Sequence, residues 1–166
     1  MKIQKVNESK IVRFFKDRCS ANEKVKFFAG DYTNPQKQAE WKTRIEFYKD
    51  IHTKASFLRA NLLRASGRER PQPIEIDIDY LLLIGFKQKW ICNLAGTPLE
   101  FTRGGQWWQR KWCNPNSCTI DRIDSDKGYI PNNIQLLTWK INSLKQDFPH
   151  LEFVEICRII AERFPK

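Results

Sequence analysis

Between Trp41 and Ala65, apolar side chains return every third or fourth residue: Trp41, Ile45, Tyr48, Ile51, Ala55, Leu58, Leu62 and Ala65. That spacing predicts a long helix, single or kinked into two, with one apolar face. Asn34-Pro35 supplies a cap followed by a first-turn proline, and Gly67 supplies a stop. The other face carries Lys42, Lys49, Lys54, Arg59 and Arg64, which are either simply solvated or track phosphates. Upstream, Ile11, Val12, Phe14 and Phe15 predict a short helical lead-in within residues 1–33, with Ser20 and Glu23 as a capping box for a second short helix.

Gly67 to Pro73 reads as a linker. It divides the chain into a helical N-terminal region, 1–73, and a second region, 74–166. In the second region, Ile74, Ile76 and Ile78 alternate with acids, as in a strand, and Asp79 is placed to cap a brief helix over 81–86. Two strands around a turn are expected next, from Trp90-Ile91-Cys92 and Leu99-Glu100-Phe101. Then a long loop over 102–117 interleaves Trp107, Trp108 and Trp112 with Arg103, Arg110 and Lys111. Such a mixture suits either base stacking or packing onto the core. Thr119-Ile120-Asp121 predicts a short strand ending in an acid, and Lys127-Gly128-Tyr129 a turn. Asn132 or Asn133 is placed to cap a helix with the stripe Ile134, Leu137, Ile141 and Leu144. Leu151 to Phe164 predicts an amphipathic helix with Val154, Cys157, Ile160 and Phe164 inward, closing the core or making a homodimer.

Composition narrows the classes. The 166 residues are 41% hydrophobic and 29% charged, which fits a folded soluble chain, and the longest aliphatic run, Leu81 to Ile84, is too short for a bilayer. Met1-Lys2-Ile3-Gln4-Lys5 leads into no apolar segment, so no signal peptide and no membrane association are expected. Lys and Arg exceed Asp and Glu by a net +10, which suits a polyanionic partner. The five cysteines, Cys19, Cys92, Cys113, Cys118 and Cys157, are odd in number and form no Cys-x-x-Cys, so a reducing cytoplasm is the expected compartment.

The segment from Cys118 to Lys145 carries the chemistry. At helical spacing Gln135, Thr138, Asn142 and Lys145 lie beside the apolar stripe, so Asn142 is expected to face the strand that bears Asp121. One carboxylate and one amide carbonyl suit a hard divalent cation, with water and phosphate completing its shell. Asp124, Asp126 and Gly128 lack the order and the closing Glu of an EF-hand loop. The plainer alternative pairs Asp121 with Arg122 or another neighbour and leaves the asparagines as caps.

Ile-Asp121-Arg122-Ile-Asp, followed by Lys-Gly128-Tyr, Asn133-Ile-Gln-Leu, Asn142 and Lys145, resembles the ββα-metal core of HNH (His-Me finger) endonucleases, over about residues 90–146. The resemblance is to phage, homing and restriction types. It implies an α+β fold with a helical arm, a ββα-metal nuclease core and a C-terminal helix. It also implies Mg2+, or Mn2+, held by Asp121 and Asn142. Asp121, Arg122, Asn133 and Asn142 are the implied catalytic set, acting on double-stranded DNA. Arg64, Arg68, Arg70, Arg103, Arg110, Lys111, Lys127, Lys140 and Lys145 are the expected DNA contacts.

Two positions depart from that pattern. The family's zinc-binding places hold Cys92 with Ala95 and Thr138 with Ile141, so no structural zinc is expected. Arg122 stands where the family has its general-base histidine, and a guanidinium cannot take a proton at neutral pH. It can hold the scissile phosphate. The other proton acceptors in view are His52 on the long helix, His150 after Pro149, Tyr129, and solvent or the substrate phosphate itself. The alternative function is a non-catalytic DNA-binding protein on a degenerate HNH scaffold, and a third is a partner-binding helical protein with an accidental motif.

Overall fold

The computed structural model describes residues 35–67, 72–102 and 114–165. The expected N-terminal lead-in, Arg68, Arg70, Arg103, Arg110, Lys111, Cys113 and the three loop tryptophans lie outside the described residues. Among those described, the chain is mixed α/β, with four helices and one two-stranded antiparallel sheet. None of these helices is long and apolar enough to cross a membrane.

Helix α1 runs unbroken over Pro35–Ser66. Its buried residues, Ile51, Ala55, Leu58, Leu62 and Ala65, keep the three-and-four spacing and face the core. Near its C-terminal end, Asn61 Nδ2 donates to the Cys118 carbonyl at 3.1 Å, which ties α1 to the sheet.

Helix α2 spans Ile78–Lys87 and begins earlier than the sequence suggests. Its cap is Asp77, which accepts from the Tyr80 amide at 2.8 Å, and Asp79 falls in the first turn. The alternation of Ile74, Ile76 and Ile78 is therefore not a strand. Ile74 makes a single parallel bridge to Tyr129, while Ile76 and Ile78 sink into the core. Nor do 90–92 and 99–101 form strands. They make isolated bridges only, Ile91 to Pro98 and Glu100 to Ser117.

Strands β1 (Cys118–Arg122) and β2 (Ile134–Thr138) pair with Cys118 opposite Thr138 and Arg122 opposite Ile134. This corrects the expected helix over 134–144. All five residues of β2 are buried, and a continuously buried strand has no period-two alternation to separate it from helix spacing. Among the described residues, the outer edge of β2 is met by the Gln88 side chain and the Asn93 backbone amide in place of a third strand. Gln88 donates to the Leu136 carbonyl and accepts from the Leu136 amide, both at 2.9 Å. Helix α3 (Trp139–Lys145) follows directly, capped by Thr138 in place of Asn132 or Asn133, and packs along both strands.

Helix α4 (His150–Arg163) is fixed at its start, where the His150 amide donates to the Ile123 carbonyl at 3.2 Å. It buries no residue. Val154, Ile160 and Phe164, expected inward, are exposed, and Cys157 is not buried either, so α4 does not close this core.

The backbone after the linker passes close to the turn between the strands. The Tyr129 amide donates to the Pro73 carbonyl at 2.7 Å, and the Glu75 amide to the Tyr129 carbonyl at 2.9 Å. A methyl group on Gly128 would lie 2.4 Å from the Pro73 carbonyl oxygen. Gly128→Ala should therefore cost about 2 kcal/mol, since the obstacle is backbone that cannot rotate away. Urea denaturation checks it; an unchanged midpoint would mean that the two segments do not meet this closely.

Candidate functional site

The site grows from the strand register. Asp121 and Gln135 are directly opposite in the hairpin, so their side chains share one face. Gln135 Nε2 donates to Asp121 Oδ2 at 2.8 Å, with both residues buried. Helix α3 starts at the Thr138 end of the sheet and runs back along it, which brings Lys145 to the far end of β1. There its Nζ donates to the Arg122 carbonyl at 2.9 Å and lies 3.3 Å from Asp121 Oδ1. Lys145 is fully buried. As a surface phosphate contact it is thus corrected: its ammonium is engaged inside, by Asp121 and a backbone oxygen.

Asp121 therefore lies between an amide and an ammonium. Burial pushes its carboxyl above the ordinary carboxylate value, opposed by the Gln135 hydrogen bond and then by Lys145. Gln135 extends the cluster. Its Oε1 accepts from Asn93 Nδ2 at 2.7 Å, and its Nε2 also lies 3.3 Å from His150 Nδ1. His150, expected as a helix-start cap or one of several proton acceptors, is thus separated from Asp121 by a single amide nitrogen. Exposed His52 stacks at an angle on Tyr48 instead, with ring centroids 5.9 Å apart.

Asn142 precedes Lys145 by one helical turn, so the two share a face of α3. It is half-buried, and its side-chain amide makes no hydrogen bond to the described residues. Asn133 is different. Its Oδ1 accepts from the Asp124 amide, while Nδ2 donates to the carbonyls of Asp124 and Gly128 at 3.0 and 2.9 Å. Every polar atom of that amide is engaged in holding loop 123–128 closed. Asn133, expected in the catalytic set, thus positions this loop through its side-chain amide.

Arg122 also serves the loop. Its Nη1 donates to the carbonyls of Ser125 and Lys127 at 2.6 and 3.1 Å, and its guanidinium lies 5.6 Å from the Tyr129 ring centroid. Nε and Nη2 make no hydrogen bond to described residues. Lys127 pairs with Asp124 at 2.9 Å on the surface. Lys140 is exposed on α3, and its amide binds the Pro115 carbonyl, near the Cys118 end of the sheet. Arg64, also exposed, turns back onto Asn61, which likewise anchors at that end.

The positions that the resemblance gives to zinc do meet in part. Cys92 Sγ accepts from the Thr138 amide at 3.4 Å and from its hydroxyl at 3.8 Å. Ala95 and Ile141 offer no ligand. Cys118 is buried nearby, and burial together with Cys92 pushes its thiol up to about 12. Among the described residues, no three His, Cys, Asp or Glu side chains converge as a metal-binding group. Among the described residues, oxygen donors beside Asp121 would come from amides, with water or substrate completing the shell.

Gln135, Asn93 and His150 are the members of this cluster that sequence reasoning does not bring together. Gln135 stands beside the predicted stripe, but at helical spacing; only strand spacing sets it opposite Asp121. Comparison of the chain with protein-family models, curated proteins and solved structures returns no match.

Proposed function

We propose that the chain is a metal-dependent DNA endonuclease of the ββα-metal type, hydrolysing phosphodiester bonds at Asp121. The observation that carries this reading is the strand–loop–strand–helix order, with a buried carboxylate near the end of the first strand and, on the helix that follows, Asn142, whose side-chain amide makes no hydrogen bond among the described residues. The loop between the strands is held by Asn133, and Cys92 meets Thr138 where such enzymes carry zinc ligands. The net +10 charge fits the polyanionic substrate.

The donor set fits a hard cation that keeps most of its water. Asp121 and Asn142 would hold Mg2+ or Mn2+, since each carboxylate oxygen retains a lone pair beyond its present partner. Such an ion, when bound, supplies charge stabilisation to the phosphate and its leaving oxygen. The chain itself contributes orientation. Gln135 and Lys145 fix the Asp121 carboxylate from two sides, so it does not have to reorganise when substrate binds. The Nε and Nη2 groups of Arg122, unengaged among the described residues, are suited to a phosphate oxygen.

A second reading, DNA binding without catalysis on the same scaffold, is favoured by one observation. Lys145 already supplies a cation to Asp121 from within. Conversion of supercoiled plasmid in Mg2+, and its loss with EDTA, supports the first reading. Salt-sensitive binding with no conversion supports the second.

A further inference from the structure

We propose that His150 is a side chain of this site that meets a backbone phosphate of the nucleic acid, donating through Nε2–H, with its tautomer set by Gln135. The substrate class rests on the endonuclease reading; the tautomer does not.

The tautomer is fixed from Asp121 outward. The Asp121 carboxylate accepts from Gln135, so the Gln135 nitrogen, and not its oxygen, faces both Asp121 and His150. Asn93 pins the same orientation from the other side by donating to Gln135 Oε1. A primary amide nitrogen only donates. His150 Nδ1 at 3.3 Å must then be the acceptor, which leaves the ring proton on Nε2.

That N–H has no partner among the described residues, and the ring is half-buried. The backbone holds it in register, because the His150 amide is bonded to Ile123 at the end of β1. Asn93, Gln135 and His150 thus form a fixed series ending in one unused donor, a single side chain away from the carboxylate. A donor held in advance in this way needs no reorganisation when an anionic oxygen arrives. It also means that His150 is not the general base that Arg122 replaces. In this tautomer its Nδ1 is occupied by Gln135 and its Nε2–H gives a hydrogen bond.

Two variants separate this role from a structural one. In His150→Asn, the new Oδ1 can accept from Gln135 as Nδ1 does, but no donor remains where Nε2 stood. In His150→Gln, an amide N–H can return to that place. We expect H150N to melt like the wild type and to lose roughly ten- to a hundredfold in kcat/KM, the range for a hydrogen bond to a charged group, with H150Q recovering most of it.

Long-range proton–nitrogen correlation of the imidazoles gives a readout independent of cleavage. The chain has two histidines, so a His52→Gln variant assigns them. The Nε2–H form is expected for His150, and its Nε2 signal should shift on adding a phosphorothioate-linked duplex. The Nδ1–H form, or an unmoved signal at saturating duplex, overturns the proposal. If duplex shifts His150 but plasmid is never cut, the endonuclease reading fails and this one stands. If plasmid is cut equally by H150N, and His150 does not respond to duplex, the reverse holds.

Discussion

Lys145→Met should lower the stability of the folded protein by about 3–5 kcal/mol, because it leaves the Asp121 carboxylate buried without its countercharge. The lysine is fully buried, and both of its contacts, Asp121 Oδ1 and the Arg122 carbonyl, lie at the end of β1. That loss is a large share of what holds a domain of this size together. The partner experiment is the double variant K145M/D121N. The amide oxygen that D121N introduces would still accept from Gln135, and no charge would remain to be paired, so most of the lost stability should return. Guanidinium unfolding of the two variants reads both effects. A K145M protein as stable as the wild type would mean that the pair is not buried as described.

Asn142→Ala should have the opposite profile: little change in stability and a loss of cleavage of about a hundredfold or more. Its amide is half-buried and makes no hydrogen bond to the described residues, so truncation strands no partner among them. As a proposed metal ligand, however, it should matter at least as much as the outer-shell partners whose loss costs about 10–100-fold. It is a cleaner probe than Asp121, whose removal would also strand Lys145. Plasmid turnover at several Mg2+ concentrations, beside a thermal melt, checks the prediction. Full activity in N142A would remove it from the site.

What can be read in the sequence follows from what each residue type encodes. The long helix is legible because Ile51, Ala55, Leu58 and Leu62 repeat over several turns. Strand β2 is not, since Ile134 to Thr138 is buried throughout and its apolar positions also fit a helix. That one ambiguity places Gln135 on a helix and hides its pairing with Asp121. Lys145 reads as a surface cation because lysine is almost never fully buried without a partner, and that partner sits on a different element. Asn142 does fall on a helix, because it lies beyond the point where α3 begins. The amphipathic pattern of α4 is real, but periodicity says which face is apolar and not what covers it.

The most direct measurement is cleavage of supercoiled plasmid by the purified full chain in Mg2+, run beside N142A prepared identically, each with and without EDTA. The wild-type protein is expected to convert the plasmid to nicked or linear DNA, EDTA to stop it, and N142A to lag by about a hundredfold. Plasmid left supercoiled in Mg2+ and Mn2+, or cut equally by both proteins, would contradict the assignment of Asp121 and Asn142 to a metal-dependent nuclease site.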